Sequence, residues 1–268
     1  MVSDKGGCSA EDWVPPTIDV TKPSVARIYD YFLGGKDNFA VDRQAAAEVL
    51  KLAPDTYEGA LANRSFLVHA VRTMATAGVR QFLDLGTGIP TSPSVHEVAR
   101  EICPQARVVY VDNDPIVMAH NRALLAREPG VVTVMHDVRD PGAVFEDPLV
   151  RQTLDFSEPV GMLMIALLHF IPVSQGPHLM ESYRKQLAPG SHLAVSVACS
   201  DGASVETLAK IEKIYDKATA QGVFRTRAQI QELFEGFHLL EPGLGSISQW
   251  RRDGQPGTLP GLFGIGVK

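Results

Sequence analysis

Two hydrophobic rhythms divide the chain. From Tyr57 to Ala77 apolar residues recur at helical spacing (Leu61, Phe66, Leu67, Ala70, Val71, Met74), and Gly78 ends the run. Two helices are expected before it. One runs from a Ser24 cap to about Leu33; an Ala-rich one runs from Ala40 to Leu52, ahead of Pro54. Beyond Gly78 the apolar residues come in short continuous runs. Gln81 to Leu85, Arg107 to Val111, Val131 to Met135, Val160 to Leu167 and Ser191 to Ala198 read as strands. Between them, helices are expected over Ser94 to Glu101, Ile116 to Arg127 and Val173 to Leu187. Helices over Ser204 to Ala220 and Thr226 to Phe234 follow, then two closing strands, His238 to Leu240 and Leu262 to Val267. Alternating strands and helices predict an α/β fold with a doubly wound, mostly parallel, seven-stranded sheet. Strands that are apolar throughout predict cover on both faces. The expected organisation is a flexible N-terminus over residues 1–22, a helical cap over 23–78 and the sheet domain over 79–268.

Composition narrows the function classes. The 268 residues are 45% apolar, enough for one large domain with an extension. A net charge of -6 argues against nonspecific nucleic-acid binding, which needs surplus Lys and Arg to neutralise phosphates. The longest apolar run, Val160 to Leu168, is too short for a bilayer, which takes about 20 residues. No basic segment followed by an apolar run marks a signal peptide. Cys8, Cys103 and Cys199 are far apart and odd in number, so neither a metal site nor a disulfide framework is expected. Reduced thiols in a cytoplasmic protein are the expectation.

Polar residues stand where the predicted strands end, and ligands of open α/β sheets bind beyond those ends. Asp84 lies in the first strand, with Gly86, Thr87 and Gly88 directly after it. Asp112 and Asn113 end the second strand and Asp137 and Val138 follow the third. Ala166, Leu167 and His169 lie at the end of the fourth. Gly86 and Gly88 allow a sharp turn and close backbone approach to a ligand. Asp112 suits ribose hydroxyls; Asp137 and the Val138 N–H suit the edge of an adenine. The fingerprint for a nicotinamide dinucleotide requires a third Gly where Thr91 stands, and Pro90 has no N–H for a phosphate. A carboxylate at Asp84 would repel a pyrophosphate but suits the two positive charges of S-adenosylmethionine (SAM). SAM is therefore the expected cofactor and a nicotinamide-dependent oxidoreductase the disfavoured one.

The segments "PSVARIYDYFLGGKDNFAVDR", "ANRSFLVHAVR", "FLDLGTGIPT", "VHEVAR", "VVYVDNDPIV" and "HDVRDP" resemble an actinobacterial family of S-adenosyl methyltransferases, long catalogued as a domain of unknown function. The resemblance runs from about Pro23 to the C-terminus. It implies a class I, Rossmann-like methyltransferase fold that binds SAM, and it implies no particular methyl acceptor. Pro93-Ser94 depart from the family, whose members often carry Gly-Asn there.

Methyl transfer is an in-line displacement that rests largely on positioning, with a base needed only where the acceptor loses a proton. His169 is the candidate base or orienting group; His96 and His136 are weaker candidates. No Asn-Pro-Pro-Tyr type sequence follows the fourth strand, so a small, secondary-metabolite-like acceptor is favoured over a nucleic-acid base or protein amide. A SAM-binding sensor without turnover stays open. The stretch "DYFLGGKDNFAVDR" fails as a phosphate loop: Asp30 stands where the first Gly would be and Asp37 where a Ser or Thr would be. It is expected to form a lid instead. Gly34 and Gly35 would end the first helix, and Tyr29, Tyr31, Asp37 and Asn38 would approach cofactor or acceptor.

Overall fold

The computed structural model describes residues 19–125, 128–251, 255 and 257–268. The expected flexible N-terminus therefore lies mostly outside the described residues, as does Cys8.

Three helices come first: α1 (Val25–Phe32), α2 (Ala40–Leu52) and α3 (Thr56–Thr76). Ser24 caps α1, its Oγ accepting from the Arg27 N–H at 3.5 Å and donating to Asp114 at 2.6 Å. Just after α1, Gly34 turns the chain with φ +76°. A buried ion pair joins α1 to α2: Arg27 Nε meets Asp42 Oδ2 at 2.7 Å, with the side chains 3% and 0% exposed. The Asp42 carboxylate also accepts the N–H groups of Ser24 (2.9 Å) and Phe39 (2.8 Å). Arg27 donates to the Lys22 carbonyl at 2.6 Å and lies 5.1 Å from the centre of the Phe39 ring. Both charges are thus fully engaged.

The sheet contains β1 (Gln81–Leu85), β2 (Arg107–Asp112), β3 (Val131–Met135), β4 (Gly161–Ile165), β5 (His192–Ala198), β6 (His238–Leu239), β7 (Gly245–Ser246) and β8 (Gly261–Val267). Its order is β3-β2-β1-β4-β5-β8-β6, with β7 pairing β8 beside this path. β1 to β5 are parallel, and β8 is antiparallel to β5. The expected seven strands form the path; β7 is an eighth, too short at two residues to leave a periodic signal. Side chains alternate between two cores, as the pleat requires. Leu83, Leu85, Val109, Val111, Met162 and Met164 enter one. Phe82, Val108, Tyr110 and Leu163 enter the other, against Phe66, Leu67, Ala70, Val71 and Met74 of α3. So α3 lies within the sheet's own core, while α1 and α2 build a smaller cluster from Ile28, Phe32, Ala46 and Val49 that reaches Ala218.

The crossover helices are α4 (Val95–Arg100), α5 (Pro115–Leu125), α6 (Pro141–Glu146), α7 (Pro148–Thr153) and α8 (Gly176–Gln186). α6 and α7 were not expected from periodicity, being one and a half turns each. Their signal is the repeated Asp-Pro: Asp140 and Asp147 cap the first turns, and Pro141 and Pro148 open them. The last helices are α9 (Val205–Tyr215) and α10 (Arg227–Glu232). α9 stops five residues short of the expected Ala220. Beyond it the Thr219 N–H bonds the Pro23 carbonyl at 2.9 Å and the Val223 N–H bonds the His169 carbonyl at 2.8 Å, ties that helical backbone could not make.

Removing one member of a buried pair leaves the other charge unpaired. Asp42→Ala should therefore lower unfolding free energy by about 3–5 kcal/mol in urea titrations. The double variant Arg27→Met, Asp42→Leu should recover most of that loss.

Candidate active site

The strand order reverses between β1 and β4, and beyond their carboxyl ends lies a cavity of about 700 Å³. Asp84, Gly86, Thr87, Gly88, Asp112 and Asn113 line one side; Asp137, Val138, Ala166, Leu167 and His169 line another. The structure thus brings together every residue singled out at the four strand ends.

Local chemistry explains the shape. Gly86 has φ +70°, and a Cβ there would lie 2.5 Å from Leu167 Cδ1, so backbone and space both demand glycine. The N–H groups of Gly86 and Thr87 bond the Val111 carbonyl at 2.8 and 3.2 Å, pinning the loop to β2. Gly88 donates its N–H to Asp112 Oδ2 at 2.9 Å, and Asp114 donates to Oδ1 at 2.9 Å. Asp112 is thereby held facing the glycine loop. Ala166 has φ +53°, rare for a residue with a side chain, and its N–H is held by the Ser196 carbonyl and Oγ, both at 3.0 Å.

The charges are unevenly satisfied. Asp84 is 5% exposed and makes no hydrogen bond through its carboxylate to any described group. Burial pushes its pKa up to about 7; nearby Arg64 opposes the rise and Asp112 adds to it. Burial likewise lifts Asp112 to about 6, against its backbone donors. Asp137 differs. Arg139 grips its carboxylate, with Nε 2.9 Å from Oδ1, and lowers its pKa. His169 sits in a short turn, Leu168–Phe170, its ring 4.4 Å from that of Phe170. Its Nδ1 is buried with no hydrogen-bond partner among the described residues. Burial, aided by Arg225, pulls its pKa down to about 4, so the ring is neutral at pH 7.

The other histidines are otherwise employed. His136 lines the cavity but bonds Asp147 at 2.7 Å. His96 packs behind the loop, with Nδ1 2.9 Å from the Tyr110 hydroxyl.

The expected lid divides. Tyr29 lines the cavity, with Val25, Ala26 and Arg27 of the same helix. Tyr31, Gly34, Gly35, Asp37 and Asn38 are not among the lining residues. Their loop folds around Asp30 instead, whose Oδ2 accepts the Asp37 N–H at 3.0 Å and Asn38 Nδ2 at 2.8 Å. A Cβ on Gly35 would lie 2.0 Å from Asp30 Oδ1. Close packing on this carboxylate is the reason for the second glycine.

Three residues at the site were not singled out from sequence. Arg64 lines the cavity and donates to the carbonyls of Thr91 (2.9 Å) and Pro93 (2.6 Å), bracing the loop where Pro93-Ser94 occur. Asn63 donates to the Tyr29 hydroxyl at 2.7 Å and accepts from Ser196 Oγ at 2.5 Å, linking α1, α3 and β5. A signal existed: adjacent Asn and Arg interrupt an otherwise apolar helix face. Arg225 is 1% exposed and donates to the carbonyls of Leu168, Ile171 (2.8 Å) and Pro172 (3.2 Å), which holds the His169 turn in place. Nothing in the sequence separates it from a surface arginine. Among the described residues no cluster of three or more His, Cys, Asp or Glu could hold a metal. No described helix is long and apolar enough to cross a membrane.

A mostly parallel sheet with an antiparallel strand at β8, and a carboxylate-lined cleft at its switch point, define a SAM-dependent methyltransferase of the class I fold. Comparison with known proteins agrees. A family described as S-adenosyl methyltransferase matches residues 11–261, and the chain belongs to that family. Similar solved structures include one from Thermobifida fusca, designated a methyltransferase on a provisional basis. It is 41% identical, covers 96% of this chain and 99% of its own, and has a TM-score of 0.87. A DUF574 family protein from Streptomyces avermitilis is 35% identical over 93% of this chain and 99% of its own, with a TM-score of 0.86. No curated protein matches.

The raised pKa of Asp84 carries a stability consequence. An unfolded Asp ionises near 3.8 and the folded one near 7, so stability falls as pH rises through that window. In the ligand-free protein, Asp84→Asn should raise the melting temperature at pH 8 by about 4 °C or more, with the gain shrinking towards pH 4. Thermal scans across pH test this.

Proposed function

We infer that this chain methylates a small-molecule acceptor, with SAM held along the ends of β1 to β4. The observation that carries this reading is the buried, unpaired carboxylate of Asp84 facing the same cavity as the glycine loop and Asp112. A buried carboxylate without a donor is costly unless a cation reaches it. SAM supplies a methyl on a positively charged sulfonium, and its amino-acid end carries an ammonium. Asp84 would balance that positive end, and Arg64, close enough to bias Asp84, would take the carboxylate of the same group. Gly86, Thr87 and Gly88 give close backbone approach, and Asp112 and Asn113 accept the ribose hydroxyls. Asp137 and the Val138 N–H meet the adenine edge, with Arg139 orienting the Asp137 carboxylate. Ala166 and Leu167 form the wall beneath the sulfur, and His169 is the candidate base. Residues 79–268 act as the cofactor domain, and α1 acts as its cover through Tyr29 and Arg27. The acidic balance of the chain supports a small molecule over a nucleic acid. The free cysteines Cys103 and Cys199 support a cytoplasmic location.

Isothermal calorimetry tests the reading. SAM should bind and NAD should not, and Asp112→Ala should weaken SAM at least about tenfold, a loss of about 1.4 kcal/mol. Unchanged affinity in Asp112→Ala would sink the assignment. SAM affinity should also rise between pH 5.5 and 7.5. A cation favours ionised Asp84 and Asp112, whose pKa values lie near 7 and 6, so protons must leave on binding at lower pH.

A further inference from the structure

A second cavity, of about 170 Å³, adjoins the first. Tyr29, Asn63, Ala166, His169, Phe170 and Tyr215 line both. The smaller one extends away from the carboxylates, towards Phe32, Phe224 and Leu262. Its volume equals roughly six waters at about 30 Å³ each, room for one or two fused rings.

Its walls specify chemistry. Phe170 joins two ring contacts, 4.4 Å to His169 and 5.5 Å to Tyr215, and Tyr29, Phe32 and Phe224 add further aromatic surface. Such walls favour a planar aromatic guest. Among the described residues, the charged ones lining it are Asp55 and Arg251, which pair with each other at 2.7 Å. Asp55 is further engaged by the Thr258 N–H at 2.9 Å. An ionic guest would meet no free complement among the described residues there and would lose its hydration. Among the described residues, the polar group left at the junction of the cavities is the His169 ring, neutral and with no partner for Nδ1.

We propose that the second cavity is the methyl-acceptor site and that its substrate is an uncharged, one- or two-ring aromatic compound bearing a phenolic hydroxyl directed at His169. This rests on the SAM reading of the larger cavity. The acceptor oxygen forms a bond to the methyl carbon, the carbon–sulfur bond breaks with its electron pair left on sulfur, and the hydroxyl proton passes to the imidazole. Positive charge is conserved in the pocket: it leaves the sulfonium as the imidazolium forms. Burial makes that imidazole a weak base, which favours a phenol, ionising near 10, over a much less acidic aliphatic alcohol.

The probes are 2-naphthol and its anionic counterpart of similar shape, 2-naphthoate. Each is titrated into protein saturated with S-adenosylhomocysteine, the demethylated cofactor, and binding is read by calorimetry. 2-Naphthol should bind at least about tenfold tighter than 2-naphthoate, about 1.4 kcal/mol. Gly59 of α3 lines the second cavity, and a Cβ there would meet nothing within 4 Å. Gly59→Leu also suits a helix better than glycine. It should abolish 2-naphthol binding and leave S-adenosylhomocysteine affinity within about twofold. Equal binding of the two probes by the unaltered protein would overturn the proposal, whether or not the variant folds. So would 2-naphthol binding that Gly59→Leu leaves intact. Failure of the unaltered protein to bind S-adenosylhomocysteine would overturn the cofactor reading as well; cofactor binding without 2-naphthol binding overturns the acceptor site alone.

Discussion

Strand order in this sheet reverses between β1 and β4, so the connections after these strands leave in opposite directions and a crevice opens beyond their carboxyl ends. The two strands pair directly, with Phe82 opposite Gly161 and Asp84 opposite Leu163. That pairing sets the distance between the glycine loop after β1 and the His169 turn after β4. Contact is tight enough that Leu167 fills the place of a Gly86 side chain. The left-handed conformation of Ala166 belongs to the same constraint. Ser196 on β5 holds its N–H, and the strained backbone directs the chain across the crevice rather than onward along the strand.

Four buried charges near the crevice meet three fates. Arg27 and Asp42 neutralise each other and are surrounded by donors and acceptors, which is how a protein keeps ions inside at small net cost. Arg225 has carbonyls alone for partners, and burial lowers its pKa to about 10; its role is to hold a turn. Asp84 has no hydrogen-bonded partner among the described residues and is the most strongly raised of the cavity carboxylates. Arg27, Asp42 and Arg225 are structural charges. On the proposed reading Asp84 is the one that meets a ligand, and perturbed ionisation concentrates at such sites.

The crevice also divides by polarity. Carboxylates gather on the β1–β3 side and aromatic rings on the side built by α1, α9 and the segment after it. His169 stands on the boundary. Tyr29, held by Asn63, which Ser196 holds in turn, forms a continuous polar link from the cover helix to the sheet along that boundary. A cofactor bearing two positive charges and an uncharged acceptor would thus be sorted to opposite sides of one residue.

Much of this was readable along the chain, because the signals are local. A strand buried on both faces must be apolar, a Gly-x-Gly turn must follow it, and an Asp at a strand end needs only its own neighbours. Hence β1 to β5, the ends of α2 and the group from Asp84 to Asp137 are legible by periodicity and spacing. The resemblance to S-adenosyl methyltransferases rested on the same local blocks. What stayed hidden depends on partners that meet only once the chain has folded. Gly34 and Gly35 look like a hinge over a ligand, yet the loop closes on Asp30, a neighbour only once the turn has formed. Arg225 earns its burial from carbonyls more than fifty residues earlier. Asn63 and Ser196 meet across 133 residues, and the second cavity is walled by α1, α3, β5, α9 and β8 together. A side chain's polarity is written in its own residue, but its desolvation and its partners exist only after distant segments have packed, and those decide which charge is structural and which awaits a ligand.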